Sequence, residues 1–184
     1  MEEGLDTGPI VGVSHIDISD TETTGSLHDK LAVLTASCLG EVVDAAPKSL
    51  EAPVPQSENG VIYAPKITPA DAMIDWKRSA AVLDHHIRAF SPYPGAWCNG
   101  PKGRLRILQA RPISLGKTTL NVASNSKAGR FLCRHNDGAM IIGCGNDALA
   151  IDRLQPAGKS AMSASDFLNG AGLILGDFLD PINR

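Results

Sequence analysis

Leu105-Arg106-Ile107-Leu108-Gln109-Ala110 is the stretch that decides the fold of this chain. The residues of a strand alternate between its two faces, so Arg104 and Arg106 share one face. Three shorter strand signals follow, at 131–133, 140–142 and 149–151, and the turn sequences at 136–138 and 145–147 separate them. The second half of the chain is therefore predicted to be mostly β.

Short helices are predicted on both sides of these strands. Thr68 caps one that starts at Pro69, and Ser79 caps a second whose apolar stripe is Leu83, Ile87 and Phe90. A last helix runs from Ser163, with Asp166 three residues on, to a C-cap at Asn169-Gly170. Short, closely spaced strands with bracketing helices indicate a small, partly open barrel of the oligonucleotide-binding (OB) kind.

The first part of the chain has a different pattern. A strand is predicted over 10–18, followed by an amphipathic helix over 27–45, with Ser26 as its N-cap and Asp29 at the capping-box position. This pair is too small to bury its own apolar faces, which is typical of the end of a larger α/β domain. We predict an α/β remnant over 1–46, a Pro-rich linker over 47–67 and an OB-like barrel over 68–184.

The linker contains a possible short strand at Val61-Ile62-Tyr63, but its proline and glycine content favours extended chain. No apolar run reaches the roughly 18 residues that span a bilayer, and the acidic N-terminus is unlike a secretory signal. Cys38, Cys98, Cys133 and Cys144 could form two disulfides. Free thiols in a cytoplasmic protein are favoured, and the scattered spacing argues against zinc.

Charge divides the chain unevenly. Residues 1–60 hold eleven acidic residues against two lysines, whereas residues 61–134 hold twelve basic residues against three acidic ones. A segment this basic suits a polyanionic partner such as a nucleic acid, although a basic surface also simply keeps a domain soluble. Charge alone leaves both readings open.

A short loop at the front of the chain is a candidate functional site. Asp6 stands in Gly4-Leu5-Asp6-Thr7-Gly8, just before an apolar run. Glycines permit the backbone conformations that functional loops use, and catalytic carboxylates usually orient a base or share a proton with one. An ordinary turn with a solvated Asp6 is the alternative.

Several segments, in order along the chain, resemble methionyl-tRNA formyltransferases. The residues that carry the resemblance are Gly4-Leu5-Asp6-Thr7-Gly8, Leu27-His28-Asp29-Lys30-Leu31-Ala32, Tyr63-Ala64-Pro65-Lys66-Ile67, Ile74-Asp75-Trp76, Ile87-Arg88-Ala89-Phe90-Ser91-Pro92-Tyr93-Pro94-Gly95-Ala96-Trp97, Leu154-Gln155-Pro156-Ala157-Gly158-Lys159 and Phe167-Leu168-Asn169-Gly170. The resemblance implies an α/β folate-binding catalytic domain, a linker and an OB-like barrel. It also implies formyl transfer from 10-formyltetrahydrofolate to the amine of initiator Met-tRNA, in translation initiation.

The resemblance also implies a catalytic Asn, His and Asp. Asp6 matches the Asp, and the other two belong to sequence that precedes Met1, so we expect this chain to be inactive alone. Leu5, Asp6, Thr7 and Gly8 would line the folate site, without a metal. The tRNA phosphates would meet basic residues from the end of the linker onward, namely Lys66, Lys77, Arg78, Arg88, Lys102, Arg104, Arg106 and Arg111.

Two other functions are weighed against this one. A stand-alone tRNA- or RNA-binding module without catalysis is the first alternative, and a sugar-nucleotide or purine-pathway formyltransferase is the second. We expect a monomer. None of the five histidines is expected to replace the missing base, and Trp76, Tyr93 and Trp97 are predicted to pack in the core.

Overall fold

The structure is a computed structural model that describes residues 4, 6–48, 52–115, 128–171 and 173–179. Contacts divide the chain into two compact units. The first unit comprises Met1–Glu22 and Ser26–Ile67, and the second comprises Thr23–Gly25 and Thr68–Arg184.

Helix α1, Thr24–Asp44, is the main element of the first unit and confirms the predicted helix, with a start three residues earlier. Ser26 is not its N-cap, because it lies inside the helix and its hydroxyl donates to the Glu22 carboxylate. That carboxylate is buried and also accepts from Lys30 Nζ at 2.6 Å and from Ser19 Oγ at 3.3 Å. No residue of α1 is buried.

The strand predicted over 10–18 is wrong, and at 61–63 the favoured extended chain is found rather than the possible short strand. Residues 11–19 have no regular secondary structure, and Ile10 forms only an isolated antiparallel bridge with Val54. Val61, Ile62 and Tyr63 are exposed and unpaired as strand. A strand needs a neighbour for its backbone N–H and C=O groups. Among the described residues, 10–18 has only the Ile10–Val54 bridge, and 61–63 has no strand partner.

The second unit contains an antiparallel sheet. Its strands are β1 (Ala96–Gly100), β2 (Gly103–Ile113), β3 (Phe131–Arg134), β4 (Met140–Gly143), β5 (Ala148–Pro156) and β6 (Met162–Ser163). The order is β1-β2-β5-β4-β3, and β6 pairs with β5. The four strands predicted from sequence are confirmed and extended, whereas β1 and the two-residue β6 were not predicted.

The sheet is open, because within the described part of the chain β1 and β3 remain at its two edges without pairing to each other. The coarse prediction of a mostly β second part with short helices is confirmed. A closed barrel is not observed.

Two helices pack beside the sheet. Helix α2 is Ala80–Phe90, where Ser79 Oγ accepts from the Val82 N–H as predicted, and Leu83 and Ile87 are buried. Helix α3 is Ala164–Ala171, and Ser163 Oγ accepts from the Asp166 N–H at 3.0 Å. The predicted C-cap at Asn169-Gly170 is wrong, because the helix continues through both residues.

The predicted helix at Pro69 is a single turn, in which the Asp71 carboxylate accepts from the Thr68 N–H and hydroxyl, each at 2.7 Å. Trp76 is buried, as predicted. Tyr93 is 77% exposed, so its assignment to the core is wrong. Trp97 is half-buried on β1 rather than at a helix end.

The main core lies where α2 and α3 cover one face of the sheet. Its largest side chains include Leu83, Ile87, Ile107, Ile151 and Leu154, all fully buried. The turn sequence Asn-Asp-Gly at 136–138 joins β3 to β4, and Asp147 takes a positive φ of 60° in the turn before β5. This core holds β2 and β5 in register, and that register positions the site described next.

Candidate RNA interface

Strands β2 and β5 carry an exposed group of arginines and glutamines. Arg104 and Arg106 are exposed, while Leu105 and Ile107 point into the core, which is the alternation predicted from sequence. The register pairs Arg106 with Gln155, and Gln109 with Arg153. We call Arg104, Arg106 and Arg153, with Gln109 and Gln155, the basic face.

Neighbouring groups hold two of these arginines in place. The Arg104 guanidinium stacks on the Trp97 ring, 3.9 Å from its centroid, a cation–π contact that fixes the side chain. The indole N–H of Trp97 donates to Pro69 O at 2.7 Å, which fixes the ring. The aliphatic part of Arg106 lies beside Gly95, where an added Cβ would approach Arg106 Cδ to 3.1 Å.

The basic face borders a small cavity of about 250 Å³ lined by Arg104, Arg106, Gln155 and the turn at 156–158. The Ala157 N–H donates to Arg104 O at 2.9 Å, and Gln155 Nε2 donates to Lys159 O at 2.8 Å. These bonds attach the turn to the ends of β2 and β5. The cavity is a cationic recess on a rigid support.

The three arginines of the basic face are not neutralised. Among the described residues, Arg104, Arg106 and Arg153 form no ion pair, and Arg106 Nη1 donates to Gln155 Oε1 at 3.5 Å. Each unpaired guanidinium can therefore donate hydrogen bonds to a phosphate.

Arg88 and Arg111, which were also predicted to contact RNA, are held by carboxylates. Arg88 Nε donates to Asp84 at 3.0 Å on α2. Arg111 contacts Asp137 and, at 3.6 Å, Asp152. The Ala139 N–H, His135 and Arg111 together lower the Asp137 pKa to about 2, so this carboxylate stays ionised and keeps Arg111 occupied.

The other predicted RNA contacts lie elsewhere. Lys77 and Arg78 are exposed near the start of β5, which is the end of that strand away from Gln155. The nearby Gly145 N–H donates to Trp76 O and Arg78 O. Lys102 is exposed in the β1–β2 turn, with Nζ 3.5 Å from Gly170 O. Lys66 is exposed in the first unit.

Arg153 and Gln155 were missed by the sequence reasoning. The sequence predicts this strand only over 149–151, whereas β5 continues to Pro156, with Arg153 exposed, Leu154 buried and Gln155 half-buried. The two-residue period set by Leu149 and Ile151 would place both residues on the core face, and the register shift between β2 and β5 near Gln109 reverses this, so the local pattern does not reveal them.

The Asp6 loop is also described in part. Asp6 is exposed and takes a positive φ of 57°, a conformation that non-glycine residues adopt uncommonly. Gln56 Nε2 bridges the loop, because it donates to Asp6 O at 2.9 Å and to Gly8 O at 2.7 Å. Thr7 Oγ1 donates to Gly4 O at 3.1 Å. Leu5 lies outside the described residues.

The histidines and cysteines form no additional centre. His15, His28, His85 and His135 are exposed, and burial lowers the pKa of His86. The four cysteines are free thiols, as expected. No cluster of three or more potential metal ligands occurs in the described ranges, and no helix described there is long and apolar enough to cross a membrane.

Comparison with known proteins identifies the family of this segment. Residues 66–172, which include the whole basic face, match the family described as formyl transferase, C-terminal domain. The chain belongs to the formyltransferase C-terminal domain family. Its membership confirms the resemblance inferred from the sequence segments above.

Curated relatives extend the similarity over nearly the full chain. The chain is 42% identical over 181 residues to a methionyl-tRNA formyltransferase of Parvibaculum lavamentivorans, covering 96% of the chain and 55% of the relative. It is 42% identical over 180 residues to one of Dechloromonas aromatica, covering 98% and 54%. The chain therefore spans about half the length of these relatives.

Solved structures support the fold. A structure of HypX from Aquifex aeolicus in complex with tetrahydrofolic acid superposes with a TM-score of 0.69 at 16% identity, covering 100% of this chain and 31% of HypX. A HypX variant gives the same TM-score at 17% identity and covers 32% of that chain. At such identities the likeness concerns the fold alone.

Proposed function

We propose that this chain is the tRNA-binding C-terminal part of a methionyl-tRNA formyltransferase and that its basic face contacts the phosphates of initiator Met-tRNA. The observation that carries the proposal is the set of three exposed, unpaired arginines on β2 and β5, inside the segment that matches the family. Relatives named for an enzyme that acts on methionyl-tRNA support the choice of RNA.

The geometry of the basic face suits a phosphate backbone. Arg104 and Arg106 are two residues apart on one strand, so their Cα atoms are about 7 Å apart. The stacked Trp97 and the cross-strand Gln155 restrict both side chains, which reduces the side-chain entropy lost on binding. Contacts of this kind position an RNA and add salt-dependent affinity without reading its sequence.

A partly open, OB-like barrel is the architecture we propose for the second unit. All four residues of β4 are buried, although a sheet covered on one face buries only alternate residues. Ile141 lies in a second apolar cluster with Ala139, Ala148 and Ala150. Burial on both faces of β4 and β5 supports a strongly curled sheet.

For the first unit we propose the role of the end of a catalytic domain over 1–46, with 47–67 as the linker. Asp6 would be the catalytic carboxylate, and Leu5, Thr7 and Gly8 would border 10-formyltetrahydrofolate. The amine attacks the formyl carbon, and each donor placed at the developing oxyanion lowers the barrier by about 3–4 kcal/mol. The Asp6 carboxylate makes no hydrogen bond to a described residue, which supports a site that requires further groups.

Binding of initiator Met-tRNA tests the proposed interface. The double variant Arg104→Glu/Arg106→Glu should weaken binding about 100-fold or more, because two phosphate contacts become repulsive. Lys77→Glu/Arg78→Glu has the same charge change at the other end of β5 and is the matched control. A larger loss in the control would place the interface there, and no loss in either variant would refute the proposal.

Formyl transfer is measured separately with the purified chain, initiator Met-tRNA and 10-formyltetrahydrofolate. We expect no turnover above background, with a full-length relative as the positive control. Robust turnover would refute the proposal that the described site needs further groups. The stand-alone RNA-binding alternative is less favoured, because the relatives match the first unit as well as the second. We further propose that the chain is a monomer, which sedimentation would test. We also propose that it is cytoplasmic, which cell fractionation would test.

A further inference from the structure

The second unit contains another cavity, distinct from the recess beside Arg104 and Arg106. It has a volume of about 380 Å³ and lies between the β1–β2 turn, the turn after β5 and α3. This is within the range of small-ligand sites in proteins. We call it the α3 cavity.

The α3 cavity has an apolar floor. Leu105, Met162, Phe167 and Leu173 line it, and Leu105 is almost fully buried in the main core. Gly100 also lines the cavity, and an added Cβ there would approach Leu105 Cδ1 to 2.6 Å. Phe167 is the aromatic side chain that a flat ring could stack on.

Charged groups stand at the edge of this floor. Lys102 and Lys159 are exposed and line the cavity from the two turns. Asp166 lines it from α3, where its Oδ2 accepts from Ser163 Oγ at 2.7 Å, and its Oδ1 has no partner among the described residues. The site thus offers two cations for an anionic group and one free carboxylate oxygen for a donor.

The position of the α3 cavity ties it to the basic face. Pro156 and Ala157 line both this cavity and the recess beside Arg104. An RNA strand that follows the arginines therefore reaches the α3 cavity by crossing one turn.

We infer that the α3 cavity binds one unpaired nucleotide of the RNA. Its phosphate would contact Lys102 and Lys159, and its base would stack on Phe167. Because Asp166 Oδ1 accepts a hydrogen bond, a base with an exocyclic amine, such as cytosine, is favoured over uracil. Proteins commonly read unpaired RNA bases in this way. The inference rests on the proposed function and specifies a further part of its RNA contact.

Methyl and amide NMR on the full chain tests this inference with cytidine 5′-monophosphate as the probe. We expect saturable shifts at Met162, Leu105 and Leu173. Uridine 5′-monophosphate and cytidine should bind more weakly, because they lack the amine and the phosphate respectively. Shifts confined to Arg104 and Arg106, or none at all, would overturn the inference.

Variants separate the α3 cavity from the basic face. Lys102→Glu/Lys159→Glu should weaken cytidine 5′-monophosphate about tenfold or more, as expected when charge-assisted hydrogen bonds are lost. Lys48→Glu, a charge reversal at an exposed lysine that lines neither cavity, should leave this binding unchanged. Asp166→Asn keeps an acceptor oxygen and should keep the preference for cytidine over uridine monophosphate, whereas Asp166→Ala should abolish that preference.

The outcomes distinguish the two proposals. If tRNA binding depends on Arg104 and Arg106 but the mononucleotide does not bind the α3 cavity, the inference fails and the proposed function stands. If tRNA does not bind at all, the proposed function fails first, and mononucleotide shifts at the cavity would then indicate a site for free nucleotides.

Discussion

The two units of this chain differ most in what they bury. Every buried apolar side chain recorded in the described residues lies between Ala72 and Leu179, in the second unit. In the first unit, α1 has no buried residue, and Val33, Leu39 and Val43 are more than half exposed. The second unit therefore has its own core, whereas the described part of the first unit forms secondary structure without one.

This difference separates two kinds of evidence about function. The basic face stands on β2 and β5, whose register the core fixes. The Asp6 loop stands on a unit held by Gln56 and by the Glu22 contacts with Lys30 and Ser19. If RNA binding and catalysis are separable in this family, we expect a binding unit with its own core. We also expect a candidate catalytic residue, here Asp6, on a segment without one.

Amide hydrogen exchange should show the largest contrast between the units. Amides of β5 open through global unfolding, which slows exchange on the order of a thousandfold or more for a domain of ordinary stability. Amides of α1 should exchange at nearly unprotected rates, because exposed helices depend on packing for stability. Equal protection of α1 and β5 would break the comparison.

Thiol reactivity tests the same core through the contrast between buried and accessible cysteines. Burial raises the pKa of both Cys98 and Cys144, in the second unit, to about 12, so they stay protonated and inert at neutral pH. Cys38 on α1 and Cys133 on β3 are partly or fully accessible. Alkylation followed by mass spectrometry should modify Cys38 and Cys133 first. Early modification of Cys98 would show that the second core opens readily.

Core substitutions measure the same contrast in free energy. Leu154→Ala removes a fully buried side chain and should lower the free energy of unfolding by about 2–5 kcal/mol. Leu31→Ala on α1 is the matched control, because Leu31 is 41% exposed, and should change it by less than about 1 kcal/mol. Denaturant unfolding followed by the fluorescence of Trp76 and Trp97 reports the second unit, and circular dichroism of the helical signal reports α1 in Leu31→Ala. Similar losses would mean that α1 is as well packed as β5.

Acid sensitivity sharpens the account of the second unit. The Asp137 pKa is lowered from 3.8 to about 2, chiefly by the Ala139 N–H. The ionised carboxylate therefore stabilises the folded state fully above about pH 4, and this stabilisation is lost as the pH falls through 2. Thermal melting should show lower stability at pH 2 than at pH 4, with a smaller change in Asp137→Asn. Glu22 in the first unit should add to the acid sensitivity, because its hydrogen bond with Lys30 lowers its pKa as well. An unchanged acid profile in Asp137→Asn would contradict this assignment.

The sequence predicted the second unit better than the first for a physical reason. The 104–107 part of β2 alternates because a core exists for Leu105 and Ile107 to face, and Ser79 caps α2 through a local hydrogen bond. The 10–18 segment has apolar residues of the same kind, yet a strand forms only where another strand supplies its hydrogen bonds. Local pattern cannot reveal that missing neighbour.

The candidate site was predictable in part. Arg104 and Arg106 follow from a two-residue period within one strand. Arg153 and Gln155 required the register between β2 and β5, which is a long-range property. Arg88 and Arg111 are two predicted contacts that carboxylates hold. Asp84 lies four residues before Arg88 on α2, a spacing visible in the sequence, whereas Asp137 reaches Arg111 only through the folded sheet. The number of charged residues in a sequence does not show which of them form ion pairs in the folded protein.

The central claim is that the second unit alone binds tRNA, and the salt dependence of binding tests it most directly. Initiator Met-tRNA is titrated with the full chain and with residues 68–184 across a series of salt concentrations. We predict affinities within about threefold, and slopes of log K against log salt that differ by about 1 or less, since only Lys66 is lost among the proposed contacts. Loss of binding by a folded 68–184 fragment would contradict the claim.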